Sequence, residues 1–180
     1  MFKCFGALFA MLALLMAITP TIAYAATTKT VSKTDFTTST KTLNKRATTV
    51  KKGTTTLKFK KGQGYLKFKA PTSKTYTFTF SNFKNGDAYG VCAFFETQTP
   101  DSDSPTYSFL KKVKTNGGKT DTLWIGTKNY KGMYVGSEKN ALKRRRSTRY
   151  AKVSLKKGQM IYFYFSSATT KSVKATVKIK

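Results

Sequence analysis

The chain has 180 residues, with 34 Lys and Arg against 7 Asp and Glu, no histidine and two cysteines, for a formal net charge of +27. The lack of histidine excludes Ser-His-Asp and Cys-His catalytic arrangements and histidine-ligated zinc. A charge excess of this size costs folding energy through self-repulsion and concentrates polyanions near the surface.

Residues 1–25 read as a secretory signal peptide. Lys3 supplies the positive start, "FGALFAMLALLMAI" the apolar run, Pro20 ends it, and Ala23-Tyr24-Ala25 gives a small-x-small site for cleavage after Ala25. An uncleaved N-terminal anchor is the competing reading. Export leaves Cys92 as the one cysteine of the mature chain. No intramolecular disulfide then helps the fold, and in "YGVCAFFE" the thiol reads as buried and inert. No transmembrane segment is expected in the mature chain.

Residues 26–53 are rich in Thr and Lys and read as a flexible arm or linker. A ragged first strand, using Phe36 and Leu43, is the alternative. From Thr54 the pattern turns to period two. Leu57 and Phe59 alternate with Lys58 and Lys60, Leu66 and Phe68 with Lys67 and Lys69, and Tyr76, Phe78 and Phe80 with Thr77 and Thr79. Half-buried antiparallel strands require this alternation. Further strands are predicted at "AYGVCAFFET", "TYSFLKKVK", "DTLWIG", "GMYVG", "RYAKVSL", "MIYFYFSS" and "SVKATVKIK", with turns at Asn85-Gly86, Pro100-Asp101, Asn116-Gly117-Gly118 and Lys157-Gly158. No amphipathic helix of useful length is visible in the mature chain. Residues 54–180 are therefore predicted to form one all-β domain, an antiparallel β-sandwich of about eight to ten strands. Two stretches share a strand, a Lys-Lys-Gly-Gln turn, a second strand, a polar loop and a third strand, beginning at Lys58 and Val153. They read as a repeated hairpin pattern.

"GYLKFKAPTSKTYTFTFSN" followed by "VSLKKGQMIYFYFSSATTKSVKATVKIK" resembles the bacterial pre-peptidase C-terminal domain over residues 54–180. The resemblance implies a jelly-roll-like sandwich, accessory to secreted bacterial proteins and without catalysis of its own. This sequence departs from that pattern, in that the sandwich is expected to stand without an attached enzyme. The acidic loop residues that some relatives use for calcium are thin, with "PDSDSP" as the candidate.

Seven carboxylates, namely Asp35, Asp87, Glu96, Asp101, Asp103, Asp121 and Glu138, are mostly at turns. Glu96 alone sits beside strand aromatics, and no glycine-rich phosphate loop precedes a helix. The chain reads as a non-enzyme with no cofactor. Asp101 and Asp103 in a strongly positive field make a poor calcium site, so no metal is expected. Lysines at alternate strand positions (Lys58, Lys60, Lys67, Lys69, Lys174, Lys178 and Lys180) suit a solvated outer face.

Lys143, Arg144, Arg145, Arg146 and Arg149 form the sharper cluster. Arginine's fork binds phosphate and carboxylate bidentately, so the cluster is a candidate anion site. A solvated loop and a basic processing site are the alternatives. Tyr162 and Tyr164, out of phase with Ile161, Phe163 and Phe165, are candidates with Trp124 for an aromatic platform. Core packing is the competing role for Trp124. The reading is a secreted, non-catalytic module attaching to anionic cell-envelope or matrix polymers, such as an anionic polysaccharide or teichoic-acid-like polymer. A neutral-carbohydrate module using the aromatics is the alternative, and an extracellular nucleic-acid or membrane-surface binder a third.

Overall fold

The computed structural model describes residues 26–32, 39–61, 63–84, 89–99, 106–110, 113–115, 121–125, 128–136, 148–166 and 172–180. The elements are β1 (Thr27–Val31), α1 (Thr40–Arg46), β2 (Thr48–Thr49), β3 (Gly53–Phe59), β4 (Gln63–Lys69), β5 (Lys74–Lys84) and β6 (Tyr89–Thr99). They continue with β7 (Thr106–Phe109), β8 (Val113–Thr115), β9 (Asp121–Ile125), β10 (Lys128–Gly136), β11 (Arg149–Leu155), β12 (Met160–Ser166) and β13 (Val173–Ile179). The expected signal peptide lies outside the described residues, as do the turns at Asn85-Gly86, Pro100-Asp101 and Asn116-Gly117-Gly118.

The period-two segments form an all-β sandwich of two sheets. Sheet I has the order β1-β3-β13-β5-β11-β8, and sheet II the order β2-β4-β12-β6-β10-β9 with β7 also pairing β6. Most neighbours are antiparallel, but β1 pairs β3 and β2 pairs β4 in parallel. The antiparallel sandwich expected for residues 54–180 is thus observed, and the parallel pairs come in with the N-terminal segment that was expected as an arm. Parallel neighbours need a long crossover; here α1 and β2 lie between β1 and β3, and all of β3 lies between β2 and β4.

The two similar stretches are not hairpins. Each Lys-Lys-Gly-Gln turn carries the chain from sheet I to sheet II, from β3 to β4 and from β11 to β12, and each third strand returns to sheet I. The two units interlock about a local twofold axis. Leu57 pairs with Ala175 as Val153 pairs with Tyr76. Across the axis, Met160 faces Lys69 and Phe165 faces Gly64, while Val177 faces Phe80 and Ile179 faces Phe78. At the second turn Gly158 takes φ 82°, which a glycine adopts without steric cost.

Between the sheets, Phe163 lies 5.6 Å from Phe78, 5.8 Å from Phe80 and 5.4 Å from Phe94, ring centre to ring centre, and Phe59 stacks on Phe165 at 4.2 Å. Val153, Val173, Val177 and Ile179 complete the apolar layer from sheet I.

Residues 26–53, expected as a flexible arm, are largely built into the sandwich. β1 extends sheet I and β2 extends sheet II, and the Lys29 ammonium donates to the Thr49 carbonyl at 2.6 Å to tie the two edges together. Between them, Ser39 caps α1 by accepting from the Thr42 amide, and Lys45 and Arg46 occupy the last turn, where the helix dipole favours cations. Leu43 and Ala47, one turn apart, bury against Tyr65, Phe95, Tyr162 and Tyr164 on the outer face of sheet II. The Lys67 ammonium donates to the Asn44 carbonyl at the helix end. With Leu43 as the one apolar residue in seven, α1 has too little periodicity to be seen in the sequence.

The first strand passes so close to sheet II that only glycine fits at position 64. A Cβ there would meet Val31 Cγ1 at 2.5 Å and the Ser32 carbonyl oxygen at 2.7 Å. Gly64→Ala is expected to destabilise the protein by about 1–3 kcal/mol through overpacking, read as a lower urea midpoint. Val31→Ala should recover part of that loss in the double variant, because the two sites share the clash.

Candidate functional site

The outer face of sheet I is a polar surface, and alternation dictates its composition. Along β11, Arg149, Ala151, Val153 and Leu155 are buried while Tyr150, Lys152 and Ser154 are exposed. Along β13, Val173, Ala175, Val177 and Ile179 point inward and Lys174, Thr176 and Lys178 outward. Register then sets the outward residues in rows. Lys58 lies beside Lys174, and Thr56 beside Thr176 and Ser81. Thr54, Lys178, Thr79 and Tyr150 form the next row. Lys180, Thr77, Lys152 and Lys114 form another, Lys180 and Thr77 exchanging backbone hydrogen bonds at 3.1 and 3.2 Å.

The result is a face of six exposed lysines, Lys58, Lys114, Lys152, Lys174, Lys178 and Lys180, between rows of hydroxyls. Neighbouring rows lie about two residues apart along each strand, and neighbouring strands about 4.8 Å apart. No acidic residue lies on this face among the described residues; Glu96 and Asp121, on β6 and β9, belong to sheet II. Some hydroxyls are already engaged: Thr75 Oγ1 and Ser154 Oγ are 2.8 Å apart, and Asn82 donates to Thr176 Oγ1 at 3.4 Å. Tyr150, 37% exposed, is the exposed large aromatic of the face, with the Lys152 ammonium 5.9 Å from its ring centre. The alternation of "RYAKVSL" carries the signal for it, since Tyr150 is out of phase with Ala151 and Val153.

Of the predicted site residues, Arg149, Tyr162 and Tyr164 have described side chains, and all three are buried. Lys143, Arg144, Arg145 and Arg146 lie outside the described residues. Arg149 opens β11 opposite Phe80 and is only 2% exposed. It therefore does not belong to a solvent-facing anion cluster. Its phase in the strand puts it inward, with Ala151 and Val153. Tyr162 and Tyr164 do point away from the inter-sheet core, as their phase requires, but they are buried and are no open platform. Leu43 of α1 and its C-cap Ala47 cover them, and Tyr162 stacks on Phe95 at 5.7 Å. Trp124 lies in β9 opposite Asn129. Glu96 is exposed and accepts a hydrogen bond from the Gln159 amide at 2.5 Å. Among the described residues no group of three His, Cys, Asp or Glu side chains is placed to hold a metal, and no helix is long and apolar enough to cross a membrane.

No family model matches the chain, and no curated protein matches it. Among solved structures it is similar to CorA, a surface-associated copper-binding protein important in copper acquisition in Methylomicrobium album BG8. The identity is 5%, the alignment covers 74% of this chain and 98% of that one, and the TM-score is 0.39. A likeness that shallow carries no argument about what this chain does.

Two outcomes follow from the burials. Burial pushes the Tyr162 phenol above its ordinary 10.0. The unfolded chain then loses that proton first, so stability is full below pH 10.0 and falls as the pH rises from there through the folded-state value. Urea titrations across that range should show a smaller alkaline loss for Tyr162→Phe than for the parent protein. For Arg149→Gln, loss of a buried, well-packed cation should cost at least about 2 kcal/mol of stability. Retention of the folded variant on an anionic polymer should stay unchanged.

Proposed function

We propose that the chain is a secreted, non-catalytic bacterial binding module, of the pre-peptidase C-terminal type, that attaches to anionic polymers of the cell envelope or matrix. A teichoic-acid-like polymer or an acidic polysaccharide fits the chemistry. The observation that carries this reading is the face of sheet I, with six exposed lysines and no carboxylate among its described residues. Lysine is a strongly hydrated point charge on a flexible stem, suited to following a polymer whose charges are not in fixed register. The Thr and Ser rows offer hydroxyls that donate to phosphate or carboxylate oxygens and pair with sugar hydroxyls. Many such contacts, each weak and screened, add up through counterion release. Lys143 and Arg144 to Arg146 shortly precede β11, the strand bearing Tyr150 and Lys152, and are assigned to the same polymer, the arginines as bidentate contacts and Lys143 as a further point charge. The neutral-carbohydrate reading is disfavoured by the burial of Tyr162 and Tyr164.

Retention of the mature protein on immobilised poly(glycerol phosphate) and on neutral dextran, across salt concentrations, tests this reading. Retention on the phosphate polymer is expected to fall steeply with salt, by analogy with a slope of about −0.9 per neutralised phosphate on duplex DNA. Changing Lys58, Lys152, Lys174 and Lys178 to Gln should flatten the slope and weaken binding at least about tenfold, which is 1.4 kcal/mol. Changing Arg144, Arg145 and Arg146 to Gln measures the cluster's share. Equal retention on dextran, or indifference to salt and to the lysines, would overturn it.

A further inference from the structure

We infer that the chain also carries a separate, small site for an amphipathic anion, a single negatively charged head on an apolar body. Where β2 ends and the chain turns toward β3, Val50, Lys51 and Lys52 stand over Phe68, Lys69 and Pro71 and enclose a groove of about 340 Å³. That is the lower end of the roughly 300–1,000 Å³ range of small-molecule sites. It calls for a compact ligand and not a polymer segment.

The floor and the rim differ in chemistry. Val50 and Phe68 are buried members of the inter-sheet core, so the groove opens onto the apolar end of the sandwich. Lys51, Lys52 and Lys69 are exposed at its mouth, and none of its lining residues is acidic. Water over such a floor makes few hydrogen bonds and is favourably displaced by an apolar body. Three ammonium groups at the mouth favour a carboxylate, sulfonate or phosphate head, and disfavour a cationic one of the same shape. The walls are also held in place. The Val50 amide donates to the Lys67 carbonyl at 2.9 Å, while the Ala70 amide donates to Gln159 and the Ala70 carbonyl accepts from Gly158 at 2.9 and 2.8 Å. A groove fixed by backbone bonds on both sides needs little ordering when a ligand enters.

None of these residues belongs to the outer face of sheet I, so the two sites are tested independently. The probes are the fluorescent sulfonate 1-anilinonaphthalene-8-sulfonate, with dodecanoate, dodecanol and dodecyltrimethylammonium as competitors, titrated into the folded mature protein. Saturable one-site binding is expected, displaced by dodecanoate and at least about tenfold less well by the neutral and cationic analogues. Changing Lys51, Lys52 and Lys69 to Gln should weaken the sulfonate at least about tenfold, with polymer retention kept within about threefold. Thr49→Phe, which fills the groove from an exposed edge position, should abolish probe binding in a protein of unchanged circular dichroism. No saturable binding, equal displacement by the cationic analogue, or full binding by the lysine variant would overturn the inference. Should Thr49→Phe fail to fold, the lysine variant decides alone.

Discussion

The interdigitation of phenylalanines between the two sheets is the constraint on which the rest of the structure depends. Phe163 from sheet II reaches Phe78 and Phe80 of sheet I and Phe94 beside it, and Phe59 and Phe165 stack across the gap. A chain with a formal charge of +27 must overcome its own repulsion. Each fully buried large apolar side chain contributes about 1.5–3 kcal/mol, so a dense aromatic layer offsets that repulsion. The same layer fixes register, because a one-residue slip of β12 or β13 would turn lysines and hydroxyls into the core. Local twofold pairing of the two strand–turn–strand–strand units satisfies that requirement twice with one pattern.

The two outer faces then meet different needs. Lysine, threonine and serine cover sheet I, and solvent suffices there. The described outer positions of sheet II near β12 include Tyr65, Tyr162, Tyr164 and Phe95, which left open would form an apolar patch prone to association. The N-terminal segment covers it with α1 and closes both sheet edges with β1 and β2. This explains how a Thr/Lys-rich segment, poor in apolar residues, is still ordered: Val31, Leu43, Ala47 and Val50 are enough when each enters a site already shaped for it. It also leaves sheet I as the face open for binding.

Much of this was legible in the sequence, and the failures have physical causes. Period-two alternation placed the strands and their inward residues from β3 to β5 and from β11 to β13, because each has one buried and one solvated face. It could not show which strands pair, so interlocked sheet crossings read as hairpins; a Lys-Lys-Gly-Gln turn serves either geometry. α1 was missed because its anchoring comes from tertiary contact with aromatics far along the chain, not from its own pattern. Tyr162 and Tyr164 were correctly phased away from the core, but phase says which way a side chain points and not what covers it. Charge groups Arg149 with its sequence neighbours, whereas its phase with Ala151 and Val153 assigns it inward.

The polar side of sheet I also bears on selectivity. A strand can be kept soluble by alternating Lys with Glu, and cross-strand Lys–Glu pairs would add stability. This face uses threonine and serine where carboxylates would serve that purpose, and Lys58 even lies beside Lys174, and Lys152 beside Lys114. Like charges directly opposite each other are destabilising, and β-branched threonine recovers part of that cost through strand propensity. The unpaired lysine rows lower in energy when a chain of negative charges runs across them, whereas a neutral ligand leaves the repulsion in place. A surface arranged this way discriminates by charge density along a polymer more than by the shape of any single unit. Selectivity of that kind would suit the polymer-binding role proposed above.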